Sequence, residues 1–374
     1  MRILLVAAVT AWVLMSVSVA EEPMKTKAEI WKQIQPLFSP PEQLKNDFGN
    51  YPTVLKFNDG RPVTNAAEWQ VRRQEILKTW HDAMGPWPAL IPSPAIRYLS
   101  KEHVETFTRH KVEIEVAPNR RTIAWLLIPD GQGPFPAVLT VFYGPEDAAG
   151  LNPEKRLQHD FGYQLIRRGF VSLNIGDPGS TYPNDKEAQL QPLSYMGYVA
   201  ANCSNLLAGL PEVDGARIGV VGHSFGGKWA MFGSCLYDKF ACACWCDPGI
   251  VWDEKRPNVN YWERWYLGYE KGNQRKEGVP RADNPRTGAY KLLYESGHDL
   301  NELHALMAPR PFLVSGGSED QPERWQALNR TVEVNRLLGH ENRVAMSNRP
   351  GHTPTPEAME QICLFFQYFL QVGE

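Results

Sequence analysis

In the last two thirds of the chain, short and continuously apolar stretches alternate with longer amphipathic ones. The apolar stretches predict strands at Phe135–Phe142, Gly169–Ile175, Arg217–Val221, Phe240–Trp245, Pro311–Ser315 and Arg343–Ser347. Helical patterns separate them near 156–168, 195–209, 224–237, 299–307, 323–338 and 356–371. Strands that are apolar on both faces and alternate with helices predict an α/β fold, a mostly parallel sheet covered by helices on both sides.

Two alternating segments precede this region, Phe107–Val116 and Thr122–Ile128, with Asn119-Arg120 at the turn between them. They are predicted to be antiparallel strands added to the sheet. Residues 21–100 are proline-rich around one helical pattern and are predicted to form an N-terminal extension packed on the body. The main domain is predicted over residues 101–374. It includes an aromatic-rich insertion at about 248–298, which is far longer than a usual connection.

The first twenty residues have the pattern of a secretory signal peptide. Arg2 precedes the apolar stretch Ile3–Val13, and Ser18-Val19-Ala20 supplies small residues at the cleavage site. We therefore expect an exported protein, periplasmic or secreted, with residues 1–20 removed; an uncleaved anchor is the alternative. No later segment is long and apolar enough to hold the mature chain in a membrane.

Composition narrows the possible partners and cofactors. The chain is 43% hydrophobic with a net charge of −3, and no basic run is interleaved with aromatic residues, which argues against nucleic acid. Three of the six cysteines, Cys242, Cys244 and Cys246, alternate along one predicted strand, so most are expected to be buried thiols. No Cys/His spacing matches a metal site, and neither a metal nor a cofactor is predicted.

Glycines surround one serine between a predicted strand and a predicted helix, in Gly222-His223-Ser224-Phe225-Gly226-Gly227. A sharp strand-to-helix turn needs small residues on either side of a nucleophile, because chain and helix approach closely there. The turn would expose the Ser224 hydroxyl at the carboxyl end of the strand. Ser224 is therefore the predicted nucleophile.

A serine nucleophile needs a base, and the base needs an orienting acid. Four histidines follow Ser224, but only His352 comes after the last predicted strand, where this architecture places the base. Asp320, after the penultimate strand, is the first candidate for the acid. Asp247, which ends the strand after the serine helix, is the alternative, and Glu319 is a further one.

The remaining candidates concern the oxyanion and the substrate. The backbone N–H of Phe225 is one predicted oxyanion donor, and Gly144 or Tyr143, after strand Phe135–Phe142, is the other. Lys228, one helical turn beyond Ser224, could donate to the substrate or could simply be packed. Aromatic residues of the insertion, among them Trp262 and Trp265, could stack on sugar rings or pack the insertion onto the body.

Several segments together resemble the glucuronoyl esterases and related polysaccharide esterases. These segments are Trp69–Leu77, Val213–Val220, Gly222–Lys228 and Glu302–Pro311. The resemblance implies an α/β-hydrolase with a serine triad that acts on polysaccharide esters without a metal, and it implies that Lys228 contacts the substrate. The family usually has arginine after the nucleophile, where this chain has Phe225. Its acid is often a glutamate at the place of Asp247, and some members use the place of Asp320.

The sequence therefore favours an exported serine esterase that cleaves a glucuronoyl- or acetyl-type ester on a carbohydrate through an acyl-enzyme. Two alternatives remain open at this point. One is a peptidase or general acyl hydrolase of the same fold, and the other is a catalytically silent carbohydrate-binding protein. The expected partner is a carbohydrate or other ester substrate.

Overall fold

The structure is a computed structural model and describes residues 25–178 and 190–371. The predicted signal peptide, residues 1–20, lies outside the described residues. Nine strands in the described ranges form one sheet in the order β1-β2-β3-β5-β4-β6-β7-β8-β9. They are β1 Ile96–Val104, β2 Phe107–Ala117, β3 Arg120–Pro129, β4 Phe135–Val141, β5 Val171–Ile175, β6 Val213–His223, β7 Cys242–Cys246, β8 Phe312–Gly316 and β9 Val344–Asn348.

The sheet has an antiparallel part and a parallel part. Strands β1, β2 and β3 pair antiparallel, and β3 joins β5 in the same sense. From β5 through β9 every neighbouring pair is parallel. This pairing confirms the predicted mostly parallel α/β sheet. The apolar stretches that predicted its strands are buried on both faces.

Strand β1 was not predicted, and the predicted boundary at residue 100 falls inside it. Its seven inner residues are all exposed, so its sequence has no apolar face. The strand forms because its backbone pairs with β2 in a register from Ile96–Ile114 to Val104–Phe107. Backbone pairing leaves no hydrophobic pattern in the sequence when neither face of an edge strand is covered.

Ten helices lie in the described ranges: α1 Lys27–Ile34, α2 Ala66–Met84, α3 Pro145–Ala148, α4 Phe161–Ile166, α5 Pro192–Ala208, α6 Phe225–Leu236, α7 Gly288–Glu295, α8 Asn301–Ala305, α9 Trp325–Leu337 and α10 Pro356–Leu370. Helix α7 lies inside the insertion and was not predicted. The other helices after α3 overlap the predicted ones. Helix α5 packs against α6 on one side of the sheet, and α10 covers strands β6, β7 and β8.

The segment before the sheet is packed on the body. Helix α2 begins at its N-cap Asn65, whose side chain accepts from the Glu68 N–H, and it buries Trp69 and Trp80 completely. The Trp80 Nε1–H donates to Glu302 Oε2 at 3.1 Å, which ties this helix to α8. At the other side of the sheet, α1 packs against α10.

The six cysteines are all buried and none forms a disulfide. Cys242, Cys244 and Cys246 share an apolar cluster with Cys363 of α10, so the expected buried thiols are confirmed. Burial raises the pKa of the Cys246 thiol to about 11. In the part of the chain that the structure describes, no helix combines the length and apolarity needed to cross a bilayer.

Candidate active site

Ser224 occupies a strained turn between β6 and α6. Its backbone has φ 56° and ψ −111°, a conformation with positive φ that residues other than glycine rarely adopt. Its neighbours must be small: a Cβ on Gly222 would lie 2.2 Å from the Gly226 carbonyl oxygen, and one on Gly226 would lie 2.0 Å from that of Val141. The glycines therefore allow helix α6 to start directly against β4 and β6.

His352 lies in the loop after β9, as predicted, and its ring centroid is 4.6 Å from that of His223, the residue before Ser224. Its Nδ1 is 2.7 Å from Asp247 Oδ2. An ionised carboxylate only accepts, so Nδ1 carries the proton and Nε2 remains as the basic nitrogen. The Ser224 hydroxyl forms no hydrogen bond to a described residue, and such contacts are often loose in structures without substrate.

Asp247 directly follows β7 and is completely buried. Its Oδ1 accepts from the backbone N–H groups of Gly317 at 2.6 Å and Asp320 at 2.9 Å. Its Oδ2 has a longer contact with the Glu319 N–H, at 3.4 Å, and faces His352. Parallel pairing of β6 with β7 sets His223 opposite Cys246, so the turns after both strands lie at one edge of the sheet. The alternative acid is thus the one that contacts the histidine.

The structure corrects the first candidate for the acid. Both carboxylate oxygens of Asp320 accept backbone hydrogen bonds, from Gly249 at 2.9 Å and Ile250 at 2.7 Å, and neither contacts His352. Burial and the nearby charge of Asp247 raise the pKa of Asp320 to about 6. Glu319 also points elsewhere, because its Oε1 accepts from Asn258 Nδ2 at 3.2 Å.

The two predicted oxyanion donors follow the adjacent parallel strands β4 and β6. Phe225 is the first residue of α6, where a backbone N–H has no partner within the helix. Gly144 is the N-cap of the short helix α3, directly after β4. Val141 pairs with Gly222, which sets both turns at the same sheet edge. The Tyr143 ring stacks on that of Phe225, with centroids 4.7 Å apart and planes at 15°.

Lys228 is buried between helix α6 and the aromatic insertion. It is 2% exposed, its Nζ donates to the Asn258 carbonyl at 3.2 Å, and it lies 5.0 Å and 5.3 Å from the rings of Tyr261 and Tyr266. Burial lowers the pKa of its amine to about 8, and the carboxylates of Asp320, Glu319 and Asp247 oppose that shift. Lysine and insertion thus pack together beneath the serine turn.

The two tryptophans predicted for substrate contact differ. Trp262 is 1% exposed and donates from Nε1 to Glu263 Oε1 at 3.1 Å, so its ring is core rather than a stacking surface. The prediction for Trp262 was therefore wrong, because its aromatic character serves packing inside the insertion. Trp265 is half-buried and lies against Tyr266, with centroids 6.3 Å apart.

Two residues near the histidine were not predicted. Arg349 is 8% exposed and donates to the carbonyl oxygens of Ser315 at 2.9 Å and His352 at 2.5 Å. His159, ahead of α4, contacts the His223 ring. An arginine after the last strand is a weak signal, and nothing in the sequence connects His159 with the serine turn.

The fold of this chain is similar to that of several solved structures. No family model matches the sequence, and no curated protein matches it. Among solved structures, the chain is similar to a glucuronoyl esterase from Solibacter usitatus, with a TM-score of 0.68 at 20% identity over 86% of this chain and 98% of that one. The chain has the α/β-hydrolase fold.

Two further structures share this α/β-hydrolase fold. One is a promiscuous CE15 esterase from a marine bacterial metagenome, with a TM-score of 0.64 at 18% identity over 86% of this chain and 97% of that one. The other is a mutant glucuronoyl esterase from Sporotrichum thermophile in complex with methyl 4-O-methyl-β-D-glucopyranuronate. It has a TM-score of 0.56 at 18% identity over 86% of this chain and 87% of that one. The structural neighbours are thus carbohydrate esterases.

Proposed function

We propose that the protein is an exported serine esterase that hydrolyses a carboxylic ester on a carbohydrate. The observation that carries the proposal is the 2.7 Å contact between His352 Nδ1 and the buried Asp247 carboxylate, beside the strained turn that bears Ser224. The similarity to glucuronoyl esterase structures supports the same chemistry. A binding protein would have no need of an oriented imidazole at this place.

In the proposed reaction, His352 Nε2 removes the proton of the Ser224 hydroxyl as its oxygen attacks the ester carbon. The tetrahedral intermediate collapses, the alcohol leaves with the proton from His352, and the acyl group stays on Ser224. Water, deprotonated by the same nitrogen, then releases the acid and restores the serine. Asp247 holds Nδ1–H throughout and stabilises the imidazolium that forms.

The proposed oxyanion donors are the backbone N–H groups of Phe225 and Gly144. Both follow the carboxyl ends of adjacent strands, and the Phe225 N–H also lies at the positive end of the α6 dipole. Loss of one such donor typically costs about 10²- to 10³-fold in kcat. Phe225 brings no guanidinium to this site, so the negative charge would be stabilised by backbone groups.

On the substrate side, we propose that the half-buried Trp265 offers a ring face to a sugar and that Lys228 donates to the acyl part when the insertion adjusts around it. A sugar presents C–H faces to aromatic rings and hydroxyl groups to polar neighbours. One neighbouring structure holds a methyl glucuronate. Glucuronoyl and acetyl esters of carbohydrates are therefore the substrates to test first.

The test compares Ser224→Ala with Ser296→Ala, a change at an exposed serine on the end of α7. Both variants and the wild type are assayed on methyl glucuronate, acetylated xylan and an anilide, and all three are treated with a fluorophosphonate. We expect Ser224→Ala to lose about 10³-fold or more in kcat and all labelling, with Ser296→Ala unchanged. Equal rates for Ser224→Ala and wild type would contradict the proposal, and faster anilide cleavage would indicate a peptidase.

A further inference from the structure

His223 links the serine turn to the loop that carries the proposed base. It is the last residue of β6, directly before Ser224, and is 3% exposed. Its ring lies between those of His159 and His352, with centroid distances of 4.9 Å and 4.6 Å. Its Nε2 is 3.0 Å from the His352 carbonyl oxygen, and its Nδ1 is 3.1 Å from His159 Nε2. Both ring nitrogens of His223 therefore have partners.

These partners determine which nitrogens carry protons. A carbonyl oxygen only accepts, so His223 Nε2 must carry a hydrogen and donate it to His352. Burial, with a smaller contribution from the nearby Arg349 guanidinium, lowers the pKa of His223 well below its ordinary value, so its ring is neutral. Its Nδ1 is then bare and accepts from His159 Nε2–H. The hydrogen bond from His159 thus selects the tautomer of His223 that can hold the His352 backbone.

We propose that His223 and His159 form a positioning pair that sets the distance between the Ser224 hydroxyl and the His352 imidazole. The proposal rests on the esterase function proposed above. His223 adjoins Ser224 in the chain and donates to the His352 carbonyl oxygen. One hydrogen bond therefore links the turn that bears the nucleophile to the loop that bears the base. A displacement of about 1 Å between reacting groups can cost about a hundredfold in rate.

His159 is held for this task by a second contact. Its ring stacks on Phe142, with centroids 4.8 Å apart and planes at 17°, so it cannot turn freely away from His223. The His352 carbonyl also accepts from Arg349 Nη2 at 2.5 Å, and Arg349 is anchored to Ser315 of β8. The base loop is therefore tied to β8 by Arg349 and to the serine turn by His223.

The test uses pairs of variants that keep or remove the donors. His223→Gln retains an N–H that can reach the His352 carbonyl, and His223→Phe retains the ring without it. His159→Phe keeps the stack on Phe142 and removes the donor to His223. All are assayed for kcat and KM on the best substrate, for thermal unfolding, and for the low-field proton signal of the Nδ1–H bond between His352 and Asp247.

We expect His223→Phe to lose about tenfold to a hundredfold in kcat with KM within about twofold, and to broaden or shift the low-field signal. We expect His223→Gln to recover most of that kcat. We expect His159→Phe, at a half-buried position, to lose severalfold in kcat. Equal loss in His223→Gln and His223→Phe, or full kcat and an unchanged signal in His159→Phe, would overturn the inference. Full activity in Ser224→Ala would instead overturn the proposed function, so the two failures are distinguishable.

Discussion

Two neighbouring turns of the sheet edge each carry a buried aspartate, yet only one aspartate reaches the histidine. The Asp247 turn (residues 247–250) follows β7, and the Asp320 turn (residues 317–320) follows β8. Each carboxylate accepts backbone N–H groups of the other turn. The difference lies in how strongly each oxygen is used: both oxygens of Asp320 accept backbone hydrogen bonds, at 2.9 Å and 2.7 Å. Oδ2 of Asp247 accepts only a long one, from the Glu319 N–H at 3.4 Å, and lies 2.7 Å from His352 Nδ1.

Burial and position at a strand end do not by themselves assign a catalytic acid. Both aspartates are completely buried, and both stand where an α/β-hydrolase can place its acid. What separates them is the direction that each turn gives its carboxylate. Asp247, at φ 49°, is in a left-handed conformation that aims its side chain across the turn toward the loop after β9.

The largest expected effect is at Asp247. Asp247→Ala removes the acceptor of the His352 Nδ1–H, so the imidazole loses both its orientation and the charge that stabilises its protonated form. We expect kcat to fall about 10³- to 10⁴-fold with little change in KM. Steady-state kinetics of Asp247→Ala and Asp320→Ala test this expectation. An equal or larger fall of kcat in the Asp320 variant would reverse the assignment of the acid.

A smaller effect is expected where the Asp320 turn touches the loop of the base. A Cβ on Gly317 would lie 2.3 Å from the Gly351 carbonyl oxygen and 2.6 Å from Asp247 Oδ2, so Gly317→Ala must displace both. We expect a loss of about 1–3 kcal/mol in unfolding free energy together with lower kcat. Gly351→Ala is the matched control, because nothing lies within 4 Å of its Cβ. Similar results for the two variants would refute the close packing.

Asp320→Asn tests the structural role of the second aspartate. The amide keeps one acceptor oxygen but presents an NH₂ group to a backbone N–H, so one of the donors from Gly249 and Ile250 is left without a partner. We expect a loss of about 1–2 kcal/mol in the free energy of unfolding, measured in urea, and only a modest change in kcat. An unchanged midpoint with abolished activity would indicate a direct catalytic role instead.

An effect confined to alkaline pH is expected at Lys228, the amine that faces the carboxylates of both turns. Its pKa is lowered from 10.5 to about 8 by burial, so between these values the unfolded chain binds more protons than the folded one. Stability from this group therefore rises with pH from about 8 to 10.5, with a slope of at most about 1.4 kcal/mol per pH unit. Lys228→Met should remove that slope in urea titrations, and identical slopes in both proteins would contradict the prediction.

The parallel sheet and the position of His352 were predictable because both depend on local patterns. An apolar strand buried on two faces has a distinct sequence, and only one histidine follows the last such strand. The edge strand β1 was not predictable, since its side chains are exposed and its pairing is made by the backbone. Helix α7, within the insertion, was missed as well.

The choice between Asp247 and Asp320 could not be made from the sequence for a related reason. Each follows an apolar strand and precedes turn residues, so their local sequences give equivalent predictions. The choice depends on hydrogen bonds exchanged between segments about seventy residues apart. Trp262 shows the same limit, because a tryptophan in a polar insertion has the same pattern whether it packs inward or faces a ligand.

The exchange between the two turns also limits where the aromatic insertion can be replaced. The insertion leaves the sheet immediately after Asp247, and its first backbone donors, Gly249 and Ile250, are held by Asp320. A chimera joined after Ile250 would carry a foreign insertion and would keep both hydrogen bonds to Asp320. A chimera joined at Pro248 would lose them, so a replacement of the insertion should begin after Ile250.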